Sequence, residues 1–516
     1  MADKFLLEKT YSRPKKMAVF AMLISCFALW GLLNNMTDNL VPAFQRIFTM
    51  DPARAGLVQV AFYGAYAVLA LFASILVEEF SYRIGVLIGL AVYVIGALLY
   101  VPACTFASFD IYFIAIFAVA AGCSLLETTC NPYVLSLGAE ETAVRRLNFA
   151  QAFNPVGSVL GIFLAQKLIL ANLNPATAEV RAKMPAEELA KIVHNELFWV
   201  CVPYVGLCAL AVLIWIFFLR MNPFMSSFTQ KRKGFGRVAV AGLFAVVPLT
   251  VLYLLFPQMN KVLWIVLGMM GPFAYVAGVK EYREMLLILL RRPRYWCGVV
   301  AQFFYVGVQI AVWTWMNAYC QQEFGVTPAV AAFYYLTAIF LFVGMRWVAT
   351  ALMKTVNPAW LLAGFALAAV GASFGVMYLP SAPVFTLLGH PFGWNAVALV
   401  AVTGCMSLMF PTIYGIALGG LDPKAFRLGA AGLIMSILGG AVITPWMGGV
   451  IGAQDSFWFK LVSAFDAVRN VDLQASSQSL RASFIVPAIC FAVVFLYAVV
   501  FHRPSVRTDE GMKADA

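Results

Sequence analysis

Apolar runs long enough to cross a bilayer recur along the whole of this 516-residue chain. About 20 helical residues span the hydrocarbon, and a chain in lipid must satisfy its backbone hydrogen bonds inside helices or a closed barrel. Repeated runs of this length read as helices, so the expected fold class is an all-α polytopic membrane protein. Composition agrees: 63% of residues are hydrophobic and 11% charged, against about 25% charged in soluble domains. Water-soluble folds are excluded. The first run is too long for a cleavable signal peptide, and no small-residue cleavage site follows it.

Helices are expected near 17–48, 53–77, 84–102, 109–137, 147–170, 197–219, 236–256, 262–279, 296–320, 327–353, 357–379, 391–419, 426–452 and 482–502, about fourteen in all. Lys and Arg gather on alternate connections. Lys4, Lys9, Arg13, Lys15 and Lys16 precede the first helix. Arg145 and Arg146, then the clusters from Arg220 to Arg237 and from Lys280 to Arg294, fall on the same side, whereas the loops after Val101, Cys320 and Leu379 carry no Lys or Arg. The bias places both termini in the cytoplasm of a plasma membrane, read as a bacterial inner membrane. These loops account for the net charge of +11, so nucleic acid is not an expected partner. The ten cysteines lie mostly in apolar segments without a CxxC pair and read as small buried hydrophobes. No metal and no cofactor is expected.

Leu137 to Leu147 reads LGAEETAVRRL and Leu418 to Leu428 reads LGGLDPKAFRL. Leu-Gly, seven residues and Arg-Leu occur in both, each time between two long apolar helices. Two parallel six-helix halves describe the major facilitator architecture, with a site near the midplane. The expected organisation is a half at 1–220, a basic central segment at 221–294 carrying an inserted membrane hairpin (236–256 and 262–279), and a half at 295–516.

Few charges fall inside the spans: Asp38, Glu127 and Arg346. An ionised carboxylate at mid-bilayer costs about 2.5–3.5 kcal/mol on insertion scales, so a role must offset it. Low dielectric disfavours the ionised form of a carboxyl, which lets such a group load and release protons in step with a substrate. Asp38 and Glu127 are the candidates for proton coupling. Asn34 and Asp38 share one helix face, as do Gln151 and Asn154, while Asn131-Pro132 should kink the helix of Glu127. Gly157 and Gly161 beside Asn154 read as close packing of small residues. Arg346 reads equally as a clamp near a helix end and as a ligand contact. The second half lacks the carboxylates and offers Gln302, Gln309 and Trp313 instead. Amides meet hydroxyls and aromatic rings meet the C–H face of a sugar, so a monosaccharide is the expected cargo, with protons and the lipid bilayer as the other partners.

At these residues the chain resembles the fucose–proton symporters, the fucose/galactose/glucose permease branch of the major facilitator superfamily. The resemblance is carried by LWGLLNNMTDNLVPAFQ, LLETTCNPYVLSLG, RLNFAQAFNPVGS, AQFFYVGVQIAVWTW, FPTIYGIALGGL and ILGGAVITPWMGG. It implies proton-coupled monosaccharide import by alternating access, L-fucose first; the protein is expected to function as a monomer, with the inserted pair as the place where oligomer or partner contacts would arise. It implies Asp38 and Glu127 as protonation sites and Trp30, Asn35, Gln151 and Asn154 as residues lining the sugar cavity. The chain departs from the family pattern at Thr37, where Asn is usual, at Phe410, where Tyr is usual, and in the inserted helix pair. Glucose, galactose or N-acetylglucosamine is the alternative cargo. An enzyme acting on lipid-linked sugar would need a catalytic set at one membrane face. His194, His390 and His502 lie far apart, and HExxH is absent, so the chain is not expected to be an enzyme.

Overall fold

The computed structural model describes residues 13–38, 40–50, 57–174, 176, 178–181, 183–220, 235–255, 261–422, 425–452 and 480–503. Among them, twelve helices are long and apolar enough to cross a membrane: Lys16–Thr37, Ala61–Glu79, Tyr82–Thr105, Phe109–Ser136, Ala143–Asn172, Ala186–Arg220, Pro293–Phe324, Val330–Leu352, Pro358–Tyr378, Trp394–Leu418, Phe426–Ile451 and Leu480–Val500. They are called the first to twelfth spans below. Each falls on an expected position. The expected inserted pair also forms, as Phe235–Leu255 and Lys261–Gly278. The basic residues Lys4, Lys9, Lys231, Lys233 and Arg232 lie outside the described residues.

Three features were not legible in the hydropathy. The sixth span begins at Ala186 rather than 197, because Glu187, Glu188 and Lys191 mask its first turns. Lys191 Nζ pairs with Glu187 Oε1 at 2.8 Å, one helical turn apart. A helix, Lys280–Leu290, precedes the seventh span. Strands β1 (Pro383–Leu387) and β2 (His390–Gly393) form an antiparallel hairpin after the ninth span. Its turn, Leu388-Gly389, takes φ of 49° and 84°, the left-handed pair that a two-residue hairpin needs. All ten cysteines are free. Eight are buried as expected, Cys405 is half-buried and Cys297 is exposed.

The chain packs as two units. One comprises Met1–Gly138, Ala150–Arg283 and Ala430–Ala441, the other Ala139–Phe149, Glu284–Gly429 and Val442–Ala516. In the first unit the first and fifth spans touch backbone to backbone. A Cβ on Gly31 would stand 2.0 Å from the Asn154 carbonyl oxygen, one on Gly157 2.0 Å from that of Ala28, and one on Gly161 2.1 Å from that of Leu32. Without apolar driving force between helices in lipid, such close backbone contact supplies the dispersion that holds them.

The inserted pair docks on the second span. Glu79 accepts from Tyr282 Oη at 2.7 Å and from Arg237 Nη1 at 3.3 Å. Arg237 also pairs with Glu281, and Tyr275 Oη donates to the Arg237 carbonyl at 3.0 Å. Val238 joins the apolar cluster of Ala73, Leu76 and Leu125.

The loop before the sixth span is pinned by an ion pair. Arg181 and Glu196 are each 1% exposed. Arg181 Nη1 donates to Glu196 Oε2 at 2.9 Å and Nη2 to Oε1 at 2.5 Å, while Asn174 N donates to the same Oε1 at 2.7 Å. Arg181→Ala leaves that carboxylate buried without its counter-charge, which costs about 3–5 kcal/mol. The expected result is a fall in the thermal midpoint in detergent on the order of 5–10 °C, with partial recovery in Arg181→Met/Glu196→Leu. An unchanged midpoint in Arg181→Ala would show that the pair holds nothing. In the second unit, Glu323 plays a comparable part. It accepts from Arg481 Nε at 2.9 Å and from Asn395 Nδ2 at 3.4 Å, joining the seventh, tenth and twelfth spans.

Candidate functional site

In the first helix region, helix is described over Arg13–Asp38 and Leu40–Ile47. The acidic position therefore lies on helix within the apolar run and not beyond it; the Asp38 side chain is outside the described residues. Glu127 lies deep in the fourth span and is 6% exposed. Asn131 follows by one turn on the same face, and its Oδ1 accepts from Gln151 Nε2 at 2.8 Å. Glu127 Oε2 and Asn131 Nδ2 have no partner among the described residues. Buried polar groups are almost always partnered, so a carboxyl and an amide left open side by side stand out among the buried polar groups of this unit.

Trp30 is 1% exposed, with its ring 4.3 Å from that of Phe27. The Asn154 amide fits its neighbours when its oxygen accepts from Trp30 Nε1 at 2.6 Å and from Gly31 N at 3.3 Å. The glycine contacts described above make this approach possible. Asn35 Nδ2 donates to the Gly31 carbonyl of its own helix at 3.4 Å. Trp30 and Asn154 thus form one group and Gln151, Asn131 and Glu127 another, with the first, fourth and fifth spans supplying both. Thr37 is buried, and its hydroxyl bonds Tyr204 Oη of the sixth span at 3.1 Å.

In the second unit, Gln302, Gln309 and Trp313 recur at spacings of seven and four on the seventh span and so share a face. Gln302 is fully buried, with neither amide atom partnered among the described residues. Gln309 and Trp313 are half-buried. Trp313 Nε1 is likewise unpartnered among them, and its ring meets Phe342 edge-on at 5.4 Å. If Gln302 engages substrate hydroxyls, Gln302→Leu loses one or two hydrogen bonds of about 1 kcal/mol each. The expected outcome is a rise in KM of roughly 5–30-fold with kcat little changed. An unchanged KM would remove Gln302 from the site.

Arg346 is explained by local chemistry. Pro411 has no N–H, so the Ser407 carbonyl has no helical donor. Arg346 Nε donates to that oxygen, and its guanidinium lies 4.8 Å from the Phe342 ring. This is the clamp alternative, with the side chain holding the break in the tenth span. Phe410, next to that break, stacks on Tyr414 at 6.1 Å.

Sequence reasoning noted Asn131 only as part of a kink and missed its bond to Gln151. The spacing of four from Glu127 was the available signal. Neither the Thr37–Tyr204 contact nor the capping of Ser407 has a sequence signal, since their partners lie 167 and 61 residues away.

The family model of the Major Facilitator Superfamily matches residues 17–444. This chain belongs to that superfamily. An L-fucose-proton symporter of Haemophilus influenzae is 33% identical over 501 residues, covering 95% of this chain and 97% of the relative. The L-fucose-proton symporter of Escherichia coli K12 is 31% identical, covering 93% and 92%. A glucose/galactose transporter of Brucella abortus is 25% identical, covering 92% of each. A crystal structure of the major facilitator transporter FucP in the outward conformation superposes with a TM-score of 0.70 at 28% identity, over 95% of this chain and all of that one. The proton:xylose symporter XylE, at 12% identity and a TM-score of 0.60, shares the fold. The relatives of this superfamily chain are transporters.

Proposed function

We propose that this chain is a proton-coupled monosaccharide importer that carries L-fucose by alternating access. The observation that carries this reading is the identity of 33% and 31% to two L-fucose-proton symporters across nearly the whole chain, against 25% to glucose/galactose transporters. The open Glu127 carboxyl beside Asn131 and Gln151 supports it chemically. In this reading Glu127 and Asp38 carry the proton. Trp30, Asn35, Gln151 and Asn154 bind sugar in one half (1–220), and Gln302, Gln309 and Trp313 bind it in the other (295–516). Segment 221–294 is an insertion fixed to the second span by Glu79. The protein works as a monomer in a bacterial inner membrane with both termini in the cytoplasm.

The test is a sugar panel on proteoliposomes containing a trapped pH dye. L-fucose is expected to acidify the interior, with D-galactose, D-glucose and N-acetylglucosamine giving little signal. Acidification by glucose or galactose in place of fucose would move the chain to that substrate class. Labelled sugar entering with no proton movement would make it a facilitator.

A further inference from the structure

Four tyrosine hydroxyls of the first unit are buried and make no hydrogen bond of good geometry among the described residues: Tyr66 of the second span, Tyr93 and Tyr100 of the third, the latter interacting with Tyr204, and Tyr112 of the fourth. Each residue is at most 1% exposed. They are neighbours in space. The Tyr100 ring stacks on Tyr204 at 3.8 Å and meets the Tyr112 ring edge-on at 5.4 Å. Tyr204 Oη in turn bonds Thr37. The Tyr93 backbone packs so tightly on Gly122 that a Cβ there would stand 2.6 Å from Tyr93 N, which brings Tyr93 within electrostatic reach of Cys123 and Tyr204. Tyr66 interacts with both Cys123 and Glu127, yet neither its hydroxyl nor Glu127 Oε2 makes a hydrogen bond of good geometry.

Tyr112, Cys123 and Glu127 are eleven and four residues apart, so one stripe of the fourth span carries all three. From Tyr112 to Glu127 the stripe runs about 22 Å at 1.5 Å per residue. Phenols supplied by three other spans line it. A phenol in a dry interior loses its bonds to water and gains none, and nearly all buried hydroxyls are partnered for that reason. Several orphan hydroxyls in one place are satisfied together by water, which serves about three buried groups per molecule.

We propose that this seam holds a file of water molecules beside the fourth span, from Tyr112 to Glu127, and that it is the path by which protons reach Glu127. It rests on the reading of Glu127 as a protonation site. A proton received by the water at the Tyr112 end passes along the hydrogen bonds to the water at Glu127. There the carboxylate takes it and becomes the neutral acid; no phenol is ionised. The hydroxyls come from the second, third, fourth and sixth spans, whereas Trp30, Gln151 and Asn154 are on the first and fifth. The path thus meets the sugar-binding group only at its Glu127 end, where Asn131 bonds Gln151.

Two measurements on the full-length protein test this. In millisecond radiolytic hydroxyl-radical labelling, Tyr93, Tyr100 and Tyr112 are expected to react several times faster than Tyr305. That residue is equally buried but donates its hydroxyl to the Met406 carbonyl at 3.1 Å. Rates no faster than that of Tyr305 would mean a dry seam and overturn the proposal. In proteoliposomes, Tyr93→Phe/Tyr100→Phe/Tyr112→Phe keeps every ring and removes three oxygens. Sugar-driven acidification is expected to slow about tenfold relative to sugar counterflow. If the triple variant fails to fold, Tyr93→Phe alone carries the same comparison. A labelled seam with unaltered acidification would leave a wet cavity that conducts no protons, which also overturns the path. Normal proton coupling in Glu127→Gln would instead sink the Glu127 reading, an outcome the labelling arm does not share.

Discussion

Glu127→Gln is expected to abolish accumulation of sugar against its gradient while sugar counterflow continues. An amide cannot take up a proton, so sugar entry no longer draws on the proton gradient. The membrane potential alone is worth about 2.3 kcal/mol per charge at 100 mV. At about 1.4 kcal/mol per factor of ten, its loss lowers the accumulation ratio roughly 40-fold. The substitution is nearly isosteric, and Glu127 Oε2 makes no hydrogen bond of good geometry among the described residues, so the packing of the fourth span should survive. The measurement is labelled-sugar uptake into proteoliposomes under an imposed potential, paired with counterflow at zero gradient. Accumulation at the wild-type ratio would remove Glu127 from coupling. Loss of both activities would recast it as a residue of the sugar site.

Gly157→Val is expected to disable the protein by a different route. The position faces the Ala28 carbonyl with 2.0 Å available for a Cβ, so the first and fifth spans must separate by more than an ångström. Overpacking a core typically costs about 1–3 kcal/mol. Here the obstacle is backbone rather than a movable side chain, which puts the effect at the upper end. Separation also pulls Asn154 from Trp30 Nε1, now 2.6 Å apart. The expected readout is a lowered thermal midpoint together with transport reduced by about tenfold or more. Gly206→Ala, where nothing lies within 4 Å, should change neither. A wild-type midpoint and uptake in Gly157→Val would mean that the two helices do not meet as described.

Hydropathy alone places the chain in a membrane and locates the spans and the inserted pair, because in lipid the apolar length of a helix outweighs its other requirements. The spans matched to within a few residues, except at the end of the first and the start of the second, which border residues outside the description, and at the start of the sixth, which charge masks. Asp38 and Glu127 stood out from the sequence because an acid in an apolar run is costly and rare. The glycines at 157 and 161 could likewise be read as packing sites. What they pack against could not, since the contact pairs residues more than a hundred positions apart.

The amides show the limit most clearly. From spacing, Gln151 and Asn154 share a face and look equivalent. In the fold Gln151 bonds Asn131, one turn from the carboxyl, whereas Asn154 is taken up by Trp30. Arg346 could not be assigned from the sequence because its partner is a carbonyl freed by Pro411 on another span. The orphan phenols look like ordinary aromatic residues of apolar helices until the third, fourth and sixth spans come together. Residue order was thus enough to establish the lipid surroundings, the course of the helices and the buried charges that function must offset. Which polar atoms are satisfied and which stay open emerged only once the spans were packed. Hydrogen bonding between spans depends on angle and distance across helices, and no periodicity within a single helix encodes it.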